Sequence, residues 1–119
     1  MFNNLTLIGY LGSDAESRTT RNNSMLTVLS VATKRSWKHR ETGEWQSQTT
    51  WHRCLCFGAT AEWASGLSKG NRVQIIGEIQ TRDYVAKDGV KKSVTEIRVR
   101  RIALLDHTPQ SQSSKESAA

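Results

Sequence analysis

The chain has 119 residues, with 17 Lys and Arg against 11 Asp and Glu and a net charge of +6. That length allows one domain with a modest core, and the charge favours a polyanionic partner, nucleic acid before an anionic membrane surface. No apolar run approaches the ~20 residues of a membrane span, and no basic-then-apolar leader opens the chain, so a soluble, cytoplasmic protein is expected.

Residues 5–11 read as a first strand, ended by turn chemistry at Gly12-Ser13-Asp14. Residues 18–20 have room for a brief pairing before a turn at Asn22-Asn23. Residues 25–33 are too continuously apolar for a half-exposed strand, which suits a barrel or an interface. Residues 34–48 are polar, and Gly43 marks them as a long hairpin loop. A third strand runs over about residues 49–57. The one helical signal covers residues 60–67, where Trp63 and Leu67 are four apart and share a face. Gly66 shortens this helix and Gly70 suits its stop.

A fourth strand spans residues 72–82, with Gly77 marking a bulge or a sharp bend. Asp88-Gly89 is a hairpin turn. In the fifth strand, residues 93–105, Thr95, Ile97 and Val99 alternate with Glu96, Arg98 and Arg100. Residues 107–119 are Ser- and Gln-rich and hold the only proline; they read as a disordered tail behind a domain of residues 1–106. Five strands, one short helix between the third and fourth, and two long basic hairpin loops match an all-β OB-fold barrel, a class that binds oligonucleotides.

The segment Trp51-His52-Arg53-Cys54-Leu55-Cys56-Phe57 holds the chemistry. Strand side chains alternate, so Trp51, Arg53, Leu55 and Phe57 share one face, and His52, Cys54 and Cys56 the other. Two flat rings beside a guanidinium suit a nucleobase that stacks and a phosphate that is attracted. Lys34, Arg35, Lys38 and Arg40 surround Trp37, and Trp45 follows. A bare charge run there would be a solvated loop; the interleaved tryptophans favour contact with nucleic acid. The second loop carries Arg82, Tyr84, Lys87, Lys91 and Lys92, diluted by Asp83 and Asp88. An ordinary exposed hairpin competes there, and Tyr84 beside Arg82 tips the balance towards contact. Alternation does not decide whether Arg98, Arg100 and Arg101 extend the track or pair across the sheet.

Cys54 and Cys56 read as small buried residues, His52 as a structural histidine, Trp63 as a core anchor, and Phe2 and Tyr10 as packing residues. Two thiols and three scattered histidines make no zinc spacing, so no metal or cofactor is expected. Gly9-Tyr10-Leu11-Gly12 is not a phosphate loop, and no acid pair or Ser/His/Asp set stands out, so no enzymatic activity is expected.

Several motifs resemble the bacterial-type single-stranded DNA-binding proteins over about residues 3–105. They are the run from Asn4 to Gly12, Ala32-Thr33 through Ser36-Trp37, Thr42-Gly43-Glu44, Thr50-Trp51-His52-Arg53, Phe57-Gly58, Ala61-Glu62, Lys69-Gly70, and Gly77 with Thr81-Arg82. The resemblance implies an OB-fold homotetramer wrapped by single-stranded DNA in replication, recombination and repair. It also implies stacking by Trp37, Trp51, Phe57 and Tyr84, with Tyr84 standing where the family often has Trp. Arg53 matches a phosphate-contacting position and His52 a residue near the subunit interface. Family members usually end in an acidic peptide closing with Pro-Phe; this chain ends Ser-Ser-Lys-Glu-Ser-Ala-Ala, which argues against recruiting partner enzymes through such a tip. A related primosome-restart accessory protein, a dimeric assembly adaptor of the same fold, is the alternative. A nuclease of this fold would need clustered carboxylates, and Glu41 with Glu44 in a basic loop is a poor candidate.

Overall fold

The computed structural model describes residues 1–106; the expected tail, residues 107–119, lies outside them. Six strands and one helix follow in order: β1 (Leu5–Leu11), β2 (Glu16–Thr19), β3 (Met25–Lys38), β4 (Trp45–Phe57), α1 (Gly58–Ala64), β5 (Arg72–Val85) and β6 (Lys91–Leu104). The sheet order is β1-β5-β6-β4-β3-β2, and an additional β1–β3 pairing closes five of the strands into a barrel. This is the expected OB-fold, with the helix after the third barrel strand. The sixth strand, β2, was expected only as a brief pairing. It is short and wholly exposed, and pairs with β3 from Glu16↔Val28 to Thr19↔Met25.

The core forms where alternation points inward. Leu11, Leu29, Val31, Cys54, Cys56, Val73, Ile75, Ile97 and Val99 are all buried inside the barrel. Ala61, Ala64 and Leu67 pack into the same cluster from the helical side. The Thr27 hydroxyl donates to the Ala61 carbonyl at 2.7 Å and ties α1 to β3. The helix starts two residues and ends three residues earlier than expected, and Leu67 lies beyond its end. Leu67 is nevertheless buried and Trp63 packs against the core, but Leu67 reaches it from the turn after the helix and not from a helical face shared with Trp63. Burial pushes both cysteine thiols up to about 12, as fits small side chains packed in the core. Phe2 and Tyr10 are not packing residues: they are 90% and 55% exposed. Phe2 precedes the first strand, and Tyr10 alternates with buried Leu11 and so faces outward.

The largest departure concerns residues 34–48. They are not a loop but the outer half of a β-ribbon. β3 and β4 pair without interruption from Leu26↔Phe57 to Lys38↔Trp45. The turn is confined to residues 39–44, where His39 N–H donates to the Glu44 carbonyl at 2.8 Å and Gly43 takes φ +73°. The second hairpin behaves likewise: β5 and β6 pair out to Val85↔Lys91, and Gly89 turns the chain with φ +81°. Polar composition suggested loops because these ribbons leave the barrel, and a ribbon with no core beneath it needs no apolar face.

Gly77 stands at the expected irregularity. Ile76 pairs with Arg101 but Gly77 pairs with Val99, so Arg100 is the extra residue, on β6 rather than β5.

Candidate nucleic-acid interface

Strand register decides which candidates meet. On β4, Trp51, Arg53, Leu55 and Phe57 point away from the barrel interior. The parallel pairing Leu55↔Arg98 puts Arg98 and Glu96 of β6 on that same face. The antiparallel pairings Gln80↔Glu96, Arg82↔Val94 and Tyr84↔Lys92 add Arg82 and Tyr84 of β5. One continuous sheet face, β4-β6-β5, therefore carries Trp51, Arg53, Phe57, Arg82 and Tyr84.

The ribbon extends this face at one end. Trp45 and Trp51 lie six residues apart on β4, so they share a side; across the ribbon on that side Lys38 pairs with Trp45 and, four residues nearer the barrel, Lys34 pairs with Thr49. Trp37 and Arg35 fall on the ribbon's other side. That side is the continuation of the barrel interior: Val31, Cys54 and Cys56 are buried, and beyond Thr33 and His52 the same row emerges into solvent. Arg35 lies over the Trp37 ring at 5.9 Å. Arg40 sits in the exposed turn. The candidates thus divide into two surfaces, with Trp37 and Arg35 apart from the rest.

The rings are accessible. Trp51 is 60% exposed, Trp45 71% and Tyr84 41%. Phe57 is half-buried, with the Arg98 guanidinium 4.8 Å from its ring centre. Leu55 is buried despite facing outward. The Trp51 ring rests against Gly12: a Cβ built on Gly12 would lie 2.2 Å from its Cζ3. Gly12→Ala is therefore expected to push the indole aside and weaken its stacking on a base while changing the melting temperature little, because the displaced atoms are the outer edge of an exposed side chain. Thermal melts beside oligonucleotide titrations check this. An open cleft of about 250 Å³ lies beside Trp51 and Arg53, bordered by Asp14 and Glu16. These carboxylates bound the cationic face on the β2 side.

Two arginines of this face, Arg53 and Arg82, hold one buried acid. Arg53 Nε donates to Glu96 Oε2 at 2.8 Å. Arg82 Nε donates to Glu96 Oε1 at 2.7 Å, and its Nη2 reaches Oε2 at 3.3 Å. Glu96 is 1% exposed. Burial alone would raise its carboxyl, but the hydrogen bonds and charges of Arg82 and Arg53 outweigh that and hold it below its ordinary range. Arg82, bonded to Glu96, is raised in turn. Glu96 and Arg98 were not among the residues singled out for binding. A lone acid next to Arg98, Arg100 and Arg101 was the available signal, but only the register of three strands puts it beneath Arg53 and Arg82.

His52 bonds Thr33, its Nε2 lying 2.8 Å from the Thr33 hydroxyl, and burial lowers its pKa. It marks the line where the interior ends and the second ribbon face begins. Among the described residues no cluster of His, Cys, Asp and Glu is arranged to hold a metal ion.

The chain is similar to the solved structure of the Plasmodium falciparum SSB in complex with ssDNA. The two superpose with a TM-score of 0.81 at 28% sequence identity, over 89% of this chain and 97% of the other. The profile of the single-strand binding protein family matches residues 2–105, which take in the whole barrel and both ribbons. The chain belongs to the single-strand binding protein family.

Proposed function

We propose that this protein binds single-stranded DNA with little sequence preference, by stacking bases on its exposed rings and neutralising phosphates with its Lys and Arg side chains. The observation that carries the reading is the exposed Trp51 indole beside Arg53 on the outer face of an OB barrel. Every base has a π-face, so stacking tolerates any sequence. A duplex hides those faces, so paired DNA competes poorly. Holding exposed strands unpaired and protected serves replication, recombination and repair, and no bond-breaking step is part of this role.

The strand engages two surfaces. One stretch lies along Trp45, Trp51, Phe57 and Tyr84, with Lys34, Lys38, Arg53 and Arg82 at its phosphates. Another meets Trp37 and Arg35 across the ribbon, with Arg40 at the tip. Assembly as a homotetramer, with His52 near a subunit boundary, belongs to the same reading; native mass spectrometry giving a dimer would favour the accessory-adaptor alternative.

Titration with oligo(dT) at several salt concentrations, with duplex of equal length as competitor, tests the proposal. Saturable binding with a steep salt slope and weak duplex competition is expected. Binding only to duplex, or none, would overturn it. In the same titrations Arg35→Ala is expected to flatten the slope by about 0.7, the share of one phosphate contact on a single strand.

A further inference from the structure

Glu96 is a fully buried carboxylate in the middle of a surface read as a phosphate-binding face. That is a costly place for an acid unless it does something the cations cannot do alone. Its oxygens bond the Nε of Arg53 from β4 and the Nε of Arg82 from β5, while Glu96 itself stands on β6 between those strands. Arg53 and Arg82 remain 41% and 52% exposed at their side chains. Among the described residues, both terminal nitrogens of Arg53 and one of Arg82 make no hydrogen bond. The carboxylate thus occupies the inner edge of each guanidinium and leaves outer donors free. It also couples the strand bearing Trp51 and Phe57 to the strand bearing Tyr84.

We infer that Glu96 is a positioning residue for single-strand binding, holding Arg53 and Arg82 as a fixed fork whose outer nitrogens meet phosphates between the stacking rings. This rests on the functional reading above. A carboxylate that only diluted the positive charge would make the opposite difference. Its removal would tighten binding, most at low salt. Removal of a positioning group lets the guanidiniums reorient, so affinity falls even where charge attraction is screened, because ordering them is then left to the binding step.

Glu96→Gln keeps the shape and removes the charge. In oligo(dT) titrations extrapolated to 1 M salt, its affinity is expected to fall by roughly tenfold, the scale of one hydrogen bond to a charged group. The salt slope is expected to be unchanged or steeper, since no cation is lost. Arg53→Lys keeps the charge but cannot offer one edge to Glu96 and another to phosphate. It is expected to show a similar loss, and the Glu96→Gln/Arg53→Lys double variant little more than either alone.

Tighter binding by Glu96→Gln, or affinity equal to the parent's at high salt, overturns the inference while leaving the functional reading intact. A parent chain that does not bind oligo(dT) overturns both. Should Glu96→Gln not fold, Arg53→Lys decides: parent-like affinity at 1 M salt overturns the inference.

Discussion

Trp51→Ala is expected to weaken binding to oligo(dT) by about 1–3 kcal/mol, the range for loss of one base–aromatic stack, and to do so at high as well as low salt. The ring is 60% exposed and touches the bare backbone at Gly12 rather than the core. Its removal therefore takes away a landing surface without opening a cavity, and the melting temperature should hardly move. Lys34→Ala, on the same ribbon face, is expected to show the complementary pattern, a shallower salt slope with affinity nearly unchanged at high salt. The contrast separates stacking from charge, which a single affinity at one salt concentration does not. Trp63 supplies a control: it packs against the core, so its truncation should lower stability rather than intrinsic affinity. Equal binding by Trp51→Ala and parent at every salt concentration would remove Trp51 from the interface.

Gly77→Ala is expected to destabilise the barrel by about 3 kcal/mol, at the upper end of overpacking costs. For a domain of this size that lowers the melting temperature by roughly 10–20 °C. A Cβ on Gly77 would lie 2.2 Å from the Arg98 carbonyl oxygen and 3.2 Å from the Val99 Cα. These are backbone atoms of the neighbouring strand, so no side-chain rotation relieves the clash; β5 and β6 must separate. They would separate at the bulge where Arg100 is left over, next to the Arg98 that lies over Phe57. Loss of stability should therefore come with weaker binding. Gly66→Ala is the matched control, because its added methyl would meet nothing nearer than 3.9 Å. It should be neutral or slightly stabilising through the reduced freedom of the unfolded chain.

Particular residues show how far a linear reading reaches. Alternation around Trp51, Arg53 and Phe57 placed all three on one outward side, because the period of a strand is independent of what surrounds it. The same rule missed burial of Leu55, since side chains from a neighbouring strand decide whether an outward residue is covered. Gly77 announced an irregularity, but the extra residue fell on the partner strand. Residues 34–48 were mistaken for a loop because apolar alternation signals a strand only where one face meets a core. Glu96 looked like one polar residue in an alternating strand, and nothing local distinguishes it from a solvated one.

The amino-acid sequence alone determined the barrel class, the helix after the third barrel strand, the cationic character and the aromatic side chains available for stacking. These depend on periodicity and composition, which are local properties. Only the tertiary structure decided that Trp37 and Trp51 lie on opposite sides of one ribbon, and that Glu96 gathers Arg53 and Arg82. Both follow from pairing register between distant strands: one residue of slip moves a side chain to the other face, and no stretch of chain carries that information by itself.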